Sequence, residues 1–543
     1  MAKPVPLNEA DYVVVGSGSA GSAVAGRLAA SGASVIMLEA GKNDKNNKLV
    51  TKPGMIGPLH SVPQLQATVD WGYRTTPQQH VLNRQIPQTR GKVLGGSSSV
   101  NGLLWVRGNR QNYDDWAAEG NTGWDADSVN AAYKRVESFE DGENEFRGGA
   151  GPIKVVRHPD LTEGALQFQQ ATAETLDVKI LDDYNGAEQE GISTFQMNAD
   201  TNIGLRYSSS RGYVHNQHLP TLQVQTQQTV TKILLEGTRA VGVEVSDKKG
   251  NRRTIRAGKE VILSAGVFGS AQILQLSGIG PAAHLATHGI DVVADLPVGD
   301  NLHDHMFVPM TFEMANTPHV GSPAYFAKGF IKETLKPGST FLRHSVFENT
   351  GFVRTSLATK VPDMQIHVLP WAYPSPNQDE KKMHQPPKVH ALTVFSTLIY
   401  PHSRGTLRLA SADPHAAPLI DFNYLADPRD SQVLHEGITM IREIMRSKAF
   451  GNNVLREVYP GPEYSDEAMK TELLNRATTV YHGVGSCRMG VDERAVVGPD
   501  LKVRGIENLR VADASIMPSI IGGNTNAPSI MIGDQCAELI LKG

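Results

Sequence analysis

The feature that most constrains this chain is a glycine-rich turn near its N-terminus. Residues 12–15 read Tyr-Val-Val-Val, a β-branched run that is typical of a buried parallel strand. Residues 16–21 follow directly and fit the pattern G-x-G-x-x-G. A helix predicted over 23–30 and a second strand over 35–38 complete a βαβ unit. The unit predicts an α/β fold with a parallel sheet.

The residue types in this turn suit a dinucleotide. Gly16 allows the tight turn, Gly18 lets the backbone approach a pyrophosphate, and Gly21 lets the helix and strand pack closely. The first turn of the helix offers N–H groups and partial positive charge to that pyrophosphate, so Ser19 and Ala20 are included in the predicted site. Glu39, 18 residues after Gly21, can accept hydrogen bonds from a ribose hydroxyl. The motif alone does not distinguish a flavin from a nicotinamide dinucleotide.

Size and composition set the broad class. A chain of 543 residues, 40% of them hydrophobic, is too long for one core and predicts two domains. The net charge of −4 makes nucleic acid an unexpected partner. Two cysteines, Cys487 and Cys536, are typical of a reducing compartment rather than a disulfide scaffold. Residues 1–11 lack an apolar signal segment and no long apolar run follows, so we expect no membrane span and a cytoplasmic protein.

The middle of the chain divides into two parts. From Leu222 to Leu263, β-branched and aliphatic residues alternate with small or polar ones, which predicts several strands. Residues 312–376 are richer in aromatics and proline and have no clear period. We interpret this second stretch as part of another domain with long loops.

Three further segments narrow the class. Residues 90–102 read RGKVLGGSSSVNG, and residues 269–280 read GSAQILQLSGIG. The third segment runs from Tyr481-His482-Gly483 through Arg510-Val511-Ala512-Asp513-Ala514 to residues 523–528, GNTNAP. Together with the N-terminal motif, these segments resemble the glucose-methanol-choline oxidoreductase family, in order and over essentially the whole chain.

The resemblance implies an α/β fold in which a Rossmann-like FAD-binding domain is interleaved with a sheet-containing α+β substrate domain. The FAD-binding domain would comprise residues 1–158, 215–304 and 480–543, and the substrate-binding domain residues 159–214 and 305–479. FAD would lie extended along the first domain. Its predicted contacts beyond the glycine-rich turn are Glu39, Val93, Gly95, Gly96, Asn101, Val230, Asp513, Ala514 and Thr525.

The same resemblance places His482 beside the flavin, with Asn524 as its partner 42 residues later. An alcohol hydroxyl is a weak acid, so removing its proton as hydride leaves requires a base tuned near neutral pH, and histidine has that property. Asn524 can hydrogen-bond the substrate oxygen and align it. Asn526, two residues on, is the alternative partner if the register differs.

Other candidate sites have weaker support. His303, Asp304 and His305 lie on one short segment, but zinc normally takes four ligands, and the segment resembles a metal-free stretch of the family. We therefore predict no metal. Small residues surround Cys487, which favours packing over a nucleophile. Residues 277–281, SGIGP, are interpreted as a helix C-cap followed by a stop.

Two departures from the family pattern bear on cofactor and substrate. Val100 stands where members with covalent FAD carry a linking histidine, so we expect non-covalent FAD. Phe307 follows the Asp304-His305 pair where choline-oxidising members hold a glutamate. A neutral alcohol therefore fits better than a cationic one, with Phe307 either a pocket wall or simply core.

The leading prediction is an FAD-dependent alcohol oxidase or dehydrogenase that converts a neutral primary alcohol to the aldehyde. A hydroxynitrile lyase of the same family, which keeps FAD without turning it over, is the alternative. A flavin-binding module without catalysis is disfavoured by the presence of His482. The expected partners are a small-molecule alcohol and an acceptor, either oxygen or a quinone-like compound. The particular alcohol, the choice of acceptor and the oligomeric state remain open at this stage.

Overall fold

The computed structural model describes residues 7–316, 323–373, 389–461 and 464–543. Residues 1–6 of the N-terminal segment and residues 317–322 and 374–376 of the aromatic stretch lie outside these ranges. Within them the chain forms two large sheets, each with its own helices.

The first sheet has seven strands and is built around the predicted βαβ unit. Five strands run parallel, and a hairpin adds two antiparallel strands at one side. Across the sheet the strands are Leu222–Thr226, Val35–Glu39, Glu9–Val15, Arg252–Leu263, Arg239–Asp247 and Gln228–Glu236, and Leu509–Val511 pairs with the end of Arg252–Leu263. The strands predicted between Leu222 and Leu263 are therefore confirmed.

The second sheet has eight strands and is almost entirely antiparallel. Its strands in spatial order are Val454–Tyr459, Met306–Met314, Ala391–Leu398, Met364–Leu369, Asn349–Val353, Gly191–Thr194 and Ile180–Leu181, and Thr478–Thr479 pairs beside Met306–Met314. Two of these strands, Asn349–Val353 and Met364–Leu369, lie within residues 312–376, where the sequence showed no clear period, so the individual strands were missed although a second domain with its own sheet was predicted.

The reason for that error is burial on both faces of the second sheet. Its central strands are buried at every position, so they lack the polar alternation of a half-exposed strand. Phe395 and His367 are paired across one face, which points towards a large cavity. Val394 and Val368 are paired on the opposite face and belong to the core that includes the helix Pro428–Met445.

This helix approaches the sheet closely at one glycine. A β-carbon on Gly437 would lie 2.1 Å from Met364 Sδ and 2.2 Å from Ser396 Oγ. Ser396 also donates a hydrogen bond to the carbonyl of Leu434, at 3.2 Å. The helix backbone at Gly437 is therefore in direct contact with side chains of the sheet, on the face that points away from the cavity.

The remaining elements connect and cover the two sheets. The helices are Ser19–Ala30, Lys48–Thr51, Ile56–Ser61, Pro63–Gln66, Arg110–Ala118, Ala126–Val136, Glu163–Leu176, Gly266–Leu276, Ala282–Thr287, Pro323–Leu335, Pro428–Met445, Asp466–Arg476 and Asn526–Lys542. Small sheets pair Tyr73–Arg74 with Pro87–Gln88, Ala199–Asp200 with Leu205–Arg206, Ile279–Gly280 with Ala294–Asp295, Thr406–Arg408 with Leu419–Asp421, and Ile153–Arg157 with both Glu137–Phe139 and Gln196–Met197.

Two local predictions can be compared with these bounds. The first helix begins at Ser19 rather than near residue 23, because its first turn is made by the glycine-rich segment itself. The helix Gly266–Leu276 ends at Ser277, and Gly278 follows with a φ of +82°, as the predicted C-cap requires. The boundaries proposed for the two domains stay a prediction. In the described ranges no helix is both long and apolar enough to cross a membrane.

Candidate active site

A cavity of about 610 Å³ lies between the two sheets. One end is formed by segments that follow the carboxyl ends of the parallel strands, where ligands bind in open α/β sheets. The other end is walled by side chains of the second sheet. The cavity therefore joins the predicted dinucleotide turn to the predicted catalytic pair.

The glycine-rich turn has the close contacts that its sequence predicts. A β-carbon on Gly21 would lie 2.0 Å from the carbonyl oxygen of Gly16, so only glycine allows this helix to approach the strand. Gly16 has a φ of +93°. Gly18 has open space where a β-carbon would point and lines the cavity. Its backbone is thus available for close approach by a ligand.

Glu39 lies at the end of the second parallel strand and lines the cavity. Its Oε2 accepts hydrogen bonds from the Ser17 hydroxyl at 2.5 Å and the Ser17 N–H at 3.2 Å, and its Oε1 accepts from Gly41 N–H at 2.7 Å. Burial raises the pKa of this carboxyl, and the hydrogen bonds oppose that shift. The carboxyl group is fixed in place beside the turn.

The loop around Gly95 crosses the glycine-rich turn. A β-carbon on Gly96 would lie 2.7 Å from Gly18 Cα, so the two backbones pack directly. The N–H of Gly95 donates to the Ser17 hydroxyl at 3.2 Å. Farther along the loop, Asn101 Oδ1 accepts a hydrogen bond of 2.6 Å from the buried guanidinium of Arg206.

Asp513 begins a short helical turn after the strand Leu509–Val511 and also lines the cavity. Its Oδ2 accepts hydrogen bonds from Gly266 N–H at 2.9 Å and the Ser270 hydroxyl at 2.6 Å, and its Oδ1 accepts from Ser515 N–H at 2.8 Å. This network ties the last parallel strand to the helix Gly266–Leu276.

The predicted catalytic pair is in direct contact. Asn524 Nδ2 lies 3.1 Å from His482 Nε2, and both side chains line the cavity. The alternative partner, Asn526, instead accepts a hydrogen bond from the Ser19 hydroxyl at 2.8 Å. The geometry therefore pairs Asn524, not Asn526, with His482.

A buried carboxylate holds the loop that carries His482. Asp304 Oδ1 accepts from the His482 N–H at 2.8 Å, and its Oδ2 accepts from the hydroxyls of Thr479 and Tyr424, each at 2.5 Å. The preceding residue, Tyr481, has a φ of +66°, which is uncommon outside glycine. Three hydrogen bonds to Asp304 thus hold a strained turn that aims His482 into the cavity.

The imidazole of His482 lies in an apolar and weakly charged environment. Burial lowers its pKa well below the ordinary value, and the neighbouring His305, His367 and Arg90 lower it further. Its Nδ1 lies 3.0 Å from His305 Nδ1, and burial lowers the pKa of His305 to about 3. The lowered pKa favours the neutral imidazole, which is the form that can accept a proton.

The wall of the second sheet is aromatic. Phe307 stacks on Phe395 with ring centroids 4.2 Å apart, and Tyr373 meets Phe307 edge-on at 5.9 Å. Other uncharged side chains complete this wall: Val346, Phe347, Leu369, Trp371 and Val480. Phe307 is thus both core and cavity wall.

Most of the residues predicted to bind the cofactor line the cavity. These are Gly16, Gly18, Ser19, Ala20, Glu39, Gly96, Asn101, Val230, Asp513, Ala514 and Thr525. Gly21, Val93 and Gly95 do not line it and instead support the segments that do. Their roles towards a cofactor stay a prediction.

Sequence reasoning missed several residues of the site: His367 and Tyr373 line the cavity, and Gln365 contacts Asn524. These residues lie within the stretch without periodicity, residues 312–376, so no motif marked them. The histidines considered for a metal have other partners. His303 Nδ1 donates to the carbonyl of Asn301 at 2.6 Å, and its Nε2 accepts from Ile520 N–H at 3.0 Å. Where the structure describes the chain, no group of three potential ligands is arranged to hold a metal.

Comparison with known proteins identifies the family. Residues 10–307 and 401–533 match the N-terminal and C-terminal domains described as GMC oxidoreductase. An alcohol dehydrogenase [acceptor] of Pseudomonas putida is 38% identical over 542 residues, which cover 98% of this chain and 96% of the relative. An oxygen-dependent choline dehydrogenase of Sinorhizobium medicae is also 38% identical, over 553 residues with the same shares.

Solved structures agree with this assignment. A variant of the Aspergillus oryzae formate oxidase, studied for modification of its FAD, superposes with a TM-score of 0.89 at 27% identity and covers 98% of both chains. A pyridoxine 4-oxidase has a TM-score of 0.86 at 26% identity, with 98% of this chain and 99% of that chain covered. The chain belongs to the GMC oxidoreductase family. The predicted fold class, the FAD cofactor and the enzyme class, an oxidoreductase acting on CH–OH groups, are confirmed.

The geometry of the turn predicts separate effects on folding and on cofactor binding. Gly18→Ala should change the free energy of unfolding of the apoprotein by no more than ~0.5 kcal/mol, because the new methyl group meets open space. It should weaken FAD binding at least about tenfold, since the methyl occupies the place of close backbone approach. Gly21→Ala is the contrasting variant and should destabilise the apoprotein itself. Differential scanning calorimetry and FAD titration measure the two effects, and unchanged FAD affinity in Gly18→Ala would contradict the assignment.

Proposed function

We propose that this protein oxidises a neutral primary alcohol to the aldehyde, with non-covalently bound FAD as the hydride acceptor and His482 as the base. The observation that carries the proposal is the contact of 3.1 Å between His482 and Asn524 at the aromatic end of the cavity. An imidazole whose pKa is lowered by burial and a carboxamide converge on one point beside an apolar wall.

The cavity residues fit FAD in their arrangement. The diphosphate would lie against the backbone at Gly18 and the start of the helix Ser19–Ala30, where unpaired N–H groups and the helix dipole favour an anion. The adenosine would lie between Glu39 and Val230, and the ring system would extend along Asn101 towards His482. Asp513 and Ala514 would meet the stretch between the diphosphate and the ring.

The protein's own groups would bind and deprotonate the alcohol. The substrate hydroxyl donates to His482 Nε2, and its oxygen accepts from Asn524 Nδ2, replacing the direct bond between the two side chains. His482 takes the hydroxyl proton while Asn524 holds the oxygen. FAD, when bound, supplies the hydride acceptor at N5. The aromatic wall holds the rest of the alcohol and excludes water.

The charges around the cavity favour a neutral substrate. Three carboxylates line it, and each is occupied by other groups: Glu39 by Ser17, Asp513 by Gly266 and Ser270, and Asp70 by the N–H of Arg90. The aromatic wall contributes no carboxylate to hold a cation. A cavity wall that has aromatic rings but no counter-charge favours an alkyl or aryl group of the substrate. Burial of that group contributes ~0.8 kcal/mol per CH₂.

A hydroxynitrile lyase would use the same base without transferring a hydride. Anaerobic mixing with an alcohol separates the two functions, because only the oxidoreductase bleaches the flavin absorbance. Subsequent addition of oxygen or of a quinone identifies the acceptor, which we propose to be one of these two types. Retention of the oxidised spectrum with every alcohol of a broad panel would favour the lyase.

Non-covalent attachment can be tested on the purified protein. Acid denaturation should release all FAD into the supernatant, because Val100, in place of a linking histidine, has no nucleophile. The absorbance of pellet and supernatant measures the distribution. Colour that remains with the precipitated protein would overturn non-covalent binding.

Removal of the base should slow chemistry without loss of the cofactor. His482→Ala is expected to bind FAD but to reduce it on the order of 10²–10⁴-fold more slowly, the usual range for an acid–base group. Asn524→Ala should also slow reduction, because the alcohol loses its alignment. Anaerobic stopped-flow measurement gives the rate constants. His80 is exposed, so His80→Ala serves as the control and should reduce the flavin at the wild-type rate. A rapid His482→Ala would exclude this residue as the base.

The substrate preference can be read from competing alcohols. Hexanol and benzyl alcohol should have a higher kcat/KM than choline, because an aromatic face alone contributes only ~0.5–2 kcal/mol to holding a quaternary ammonium. Phe307→Glu should shift the ratio towards choline, since the side chain faces the cavity. A choline value at or above those of both neutral alcohols in the wild type would contradict the assignment. An unchanged ratio in Phe307→Glu would show that residue 307 does not face the substrate.

A further inference from the structure

The catalytic pair is connected to a third side chain that no motif marks. Gln365 lies in the strand Met364–Leu369 and is fully buried. Its Nε2 donates to Asn524 Oδ1 at 3.2 Å and to the Thr350 hydroxyl at 3.1 Å. These bonds join the floor of the second sheet to Asn524, and through it to His482.

The direction of these hydrogen bonds determines how the carboxamide of Asn524 is turned. A carboxamide has a donor end and an acceptor end, and a half-turn about its last bond exchanges them. Gln365 Nε2 can only donate, so it holds Asn524 Oδ1 towards the strand. Asn524 Nδ2 then faces His482 Nε2.

This orientation fixes the tautomer of His482. Asn524 Nδ2 can only donate, so His482 Nε2 must accept and carries no hydrogen. The neutral imidazole then has its hydrogen on Nδ1, which donates to His305 Nδ1 at 3.0 Å, and His305 carries its own hydrogen on Nε2, which is buried without a partner among the described residues. The reversed carboxamide would present an oxygen to Nε2 and favour a hydrogen there. An Nε2 that already carries a hydrogen cannot take the proton of an alcohol.

Gln365 itself has a preferred orientation. Its Oε1 is buried without a hydrogen-bond partner among the described residues. Reversing the side chain would put the NH₂ group in that place and leave two N–H donors unpaired instead of one acceptor. Orphaned N–H groups are the rarer defect in proteins. The observed orientation is therefore the less costly one.

We propose that Gln365 is a positioning residue that, through Asn524, keeps His482 in the tautomer whose Nε2 is free to accept the substrate proton. The inference rests on the proposed role of His482 as base. In this proposal the buried hydrogen-bond donor of Gln365, which need not touch the alcohol, selects the reactive tautomer of the His482 imidazole.

On the Nε2 side of His482, among the described residues, Asn524 is the contacting group, and its side chain also hydrogen-bonds with His367. The charged and titratable groups that face it are His305, His367, Arg90 and, through its backbone, Asp304. His305 acts on Nδ1, and His367 Nδ1 is engaged with the Thr397 hydroxyl at 3.2 Å. Asn524 Nδ2 lies 3.1 Å from His482 Nε2.

The test is a double-mutant cycle on the rate constant for anaerobic flavin reduction, with hexanol or benzyl alcohol as substrate. Gln365→Met keeps the side-chain length but removes the donor, and should slow reduction ~10-fold, within the range known for small misplacements. In an Asn524→Ala background the same change should have less than about a twofold effect, because the group through which it acts is absent. Thr311→Val removes another buried hydroxyl from the same face of the sheet and should leave the rate unchanged.

A second readout reports the tautomer directly. Nitrogen NMR of isotope-labelled histidine in the FAD-loaded enzyme, assigned by comparison with His482→Gln, should show a protonated Nδ1 and a bare Nε2 in the wild type. Gln365→Met should populate the other tautomer. If Gln365→Met folds and binds FAD but changes neither the tautomer nor the rate, the proposal is overturned. It is also overturned if the effects of Gln365→Met and Asn524→Ala on the rate are additive in the double-mutant cycle. A rapid His482→Ala variant would instead overturn the proposed function.

Discussion

The buried carboxylate of Asp304 is the group on which the active site depends. A charge removed from water must be compensated by hydrogen bonds or by an opposite charge. Asp304 accepts three hydrogen bonds, from two hydroxyls and from the N–H of His482, and the positive charge of Arg90 lies nearby. One of its oxygens thus holds the turn that carries His482, while the other binds side chains from Thr479 and Tyr424. Burial raises the pKa of this carboxyl, and each hydrogen bond opposes that shift, so the loss of one partner would weaken the compensation of the charge.

The site also depends on close backbone contacts at the opposite end of the cavity, where backbone segments pack against each other with no side chain between them. Gly16, Gly21 and Gly96 each occupy a place where a β-carbon would collide with another backbone segment. Gly18 differs because the space beside it is open. Three glycines therefore close the protein around the turn, and the fourth leaves room for the ligand. The same residue type serves two purposes within one short region.

The sequence predicted the first sheet better than the second. The βαβ unit is local, and its strands, helix and acidic residue could be located from residues 12–39 alone. The family resemblance brought His482 and Asn524 together although 42 residues separate them. The strands between Met306 and Leu369 were missed because both faces are buried and no alternation remains. Gln365 could not be found for a related reason. Its function depends on which way two carboxamides are turned, and spacing in a sequence does not encode that.

The close contact at Gly437 has a consequence for how this enzyme can change. Backbone meets side chains of the second sheet there, with Met364 and Ser396 directly beneath the glycine. The sheet therefore has no room to retreat from the cavity towards its covering helix. On this side, enlargement of the cavity would come from shortening the side chains on the inner face of the sheet, such as Phe307 or Phe395. Divergence towards new alcohols would thus proceed by exchange of single residues on a rigid wall, and this leaves the turn that carries His482 undisturbed.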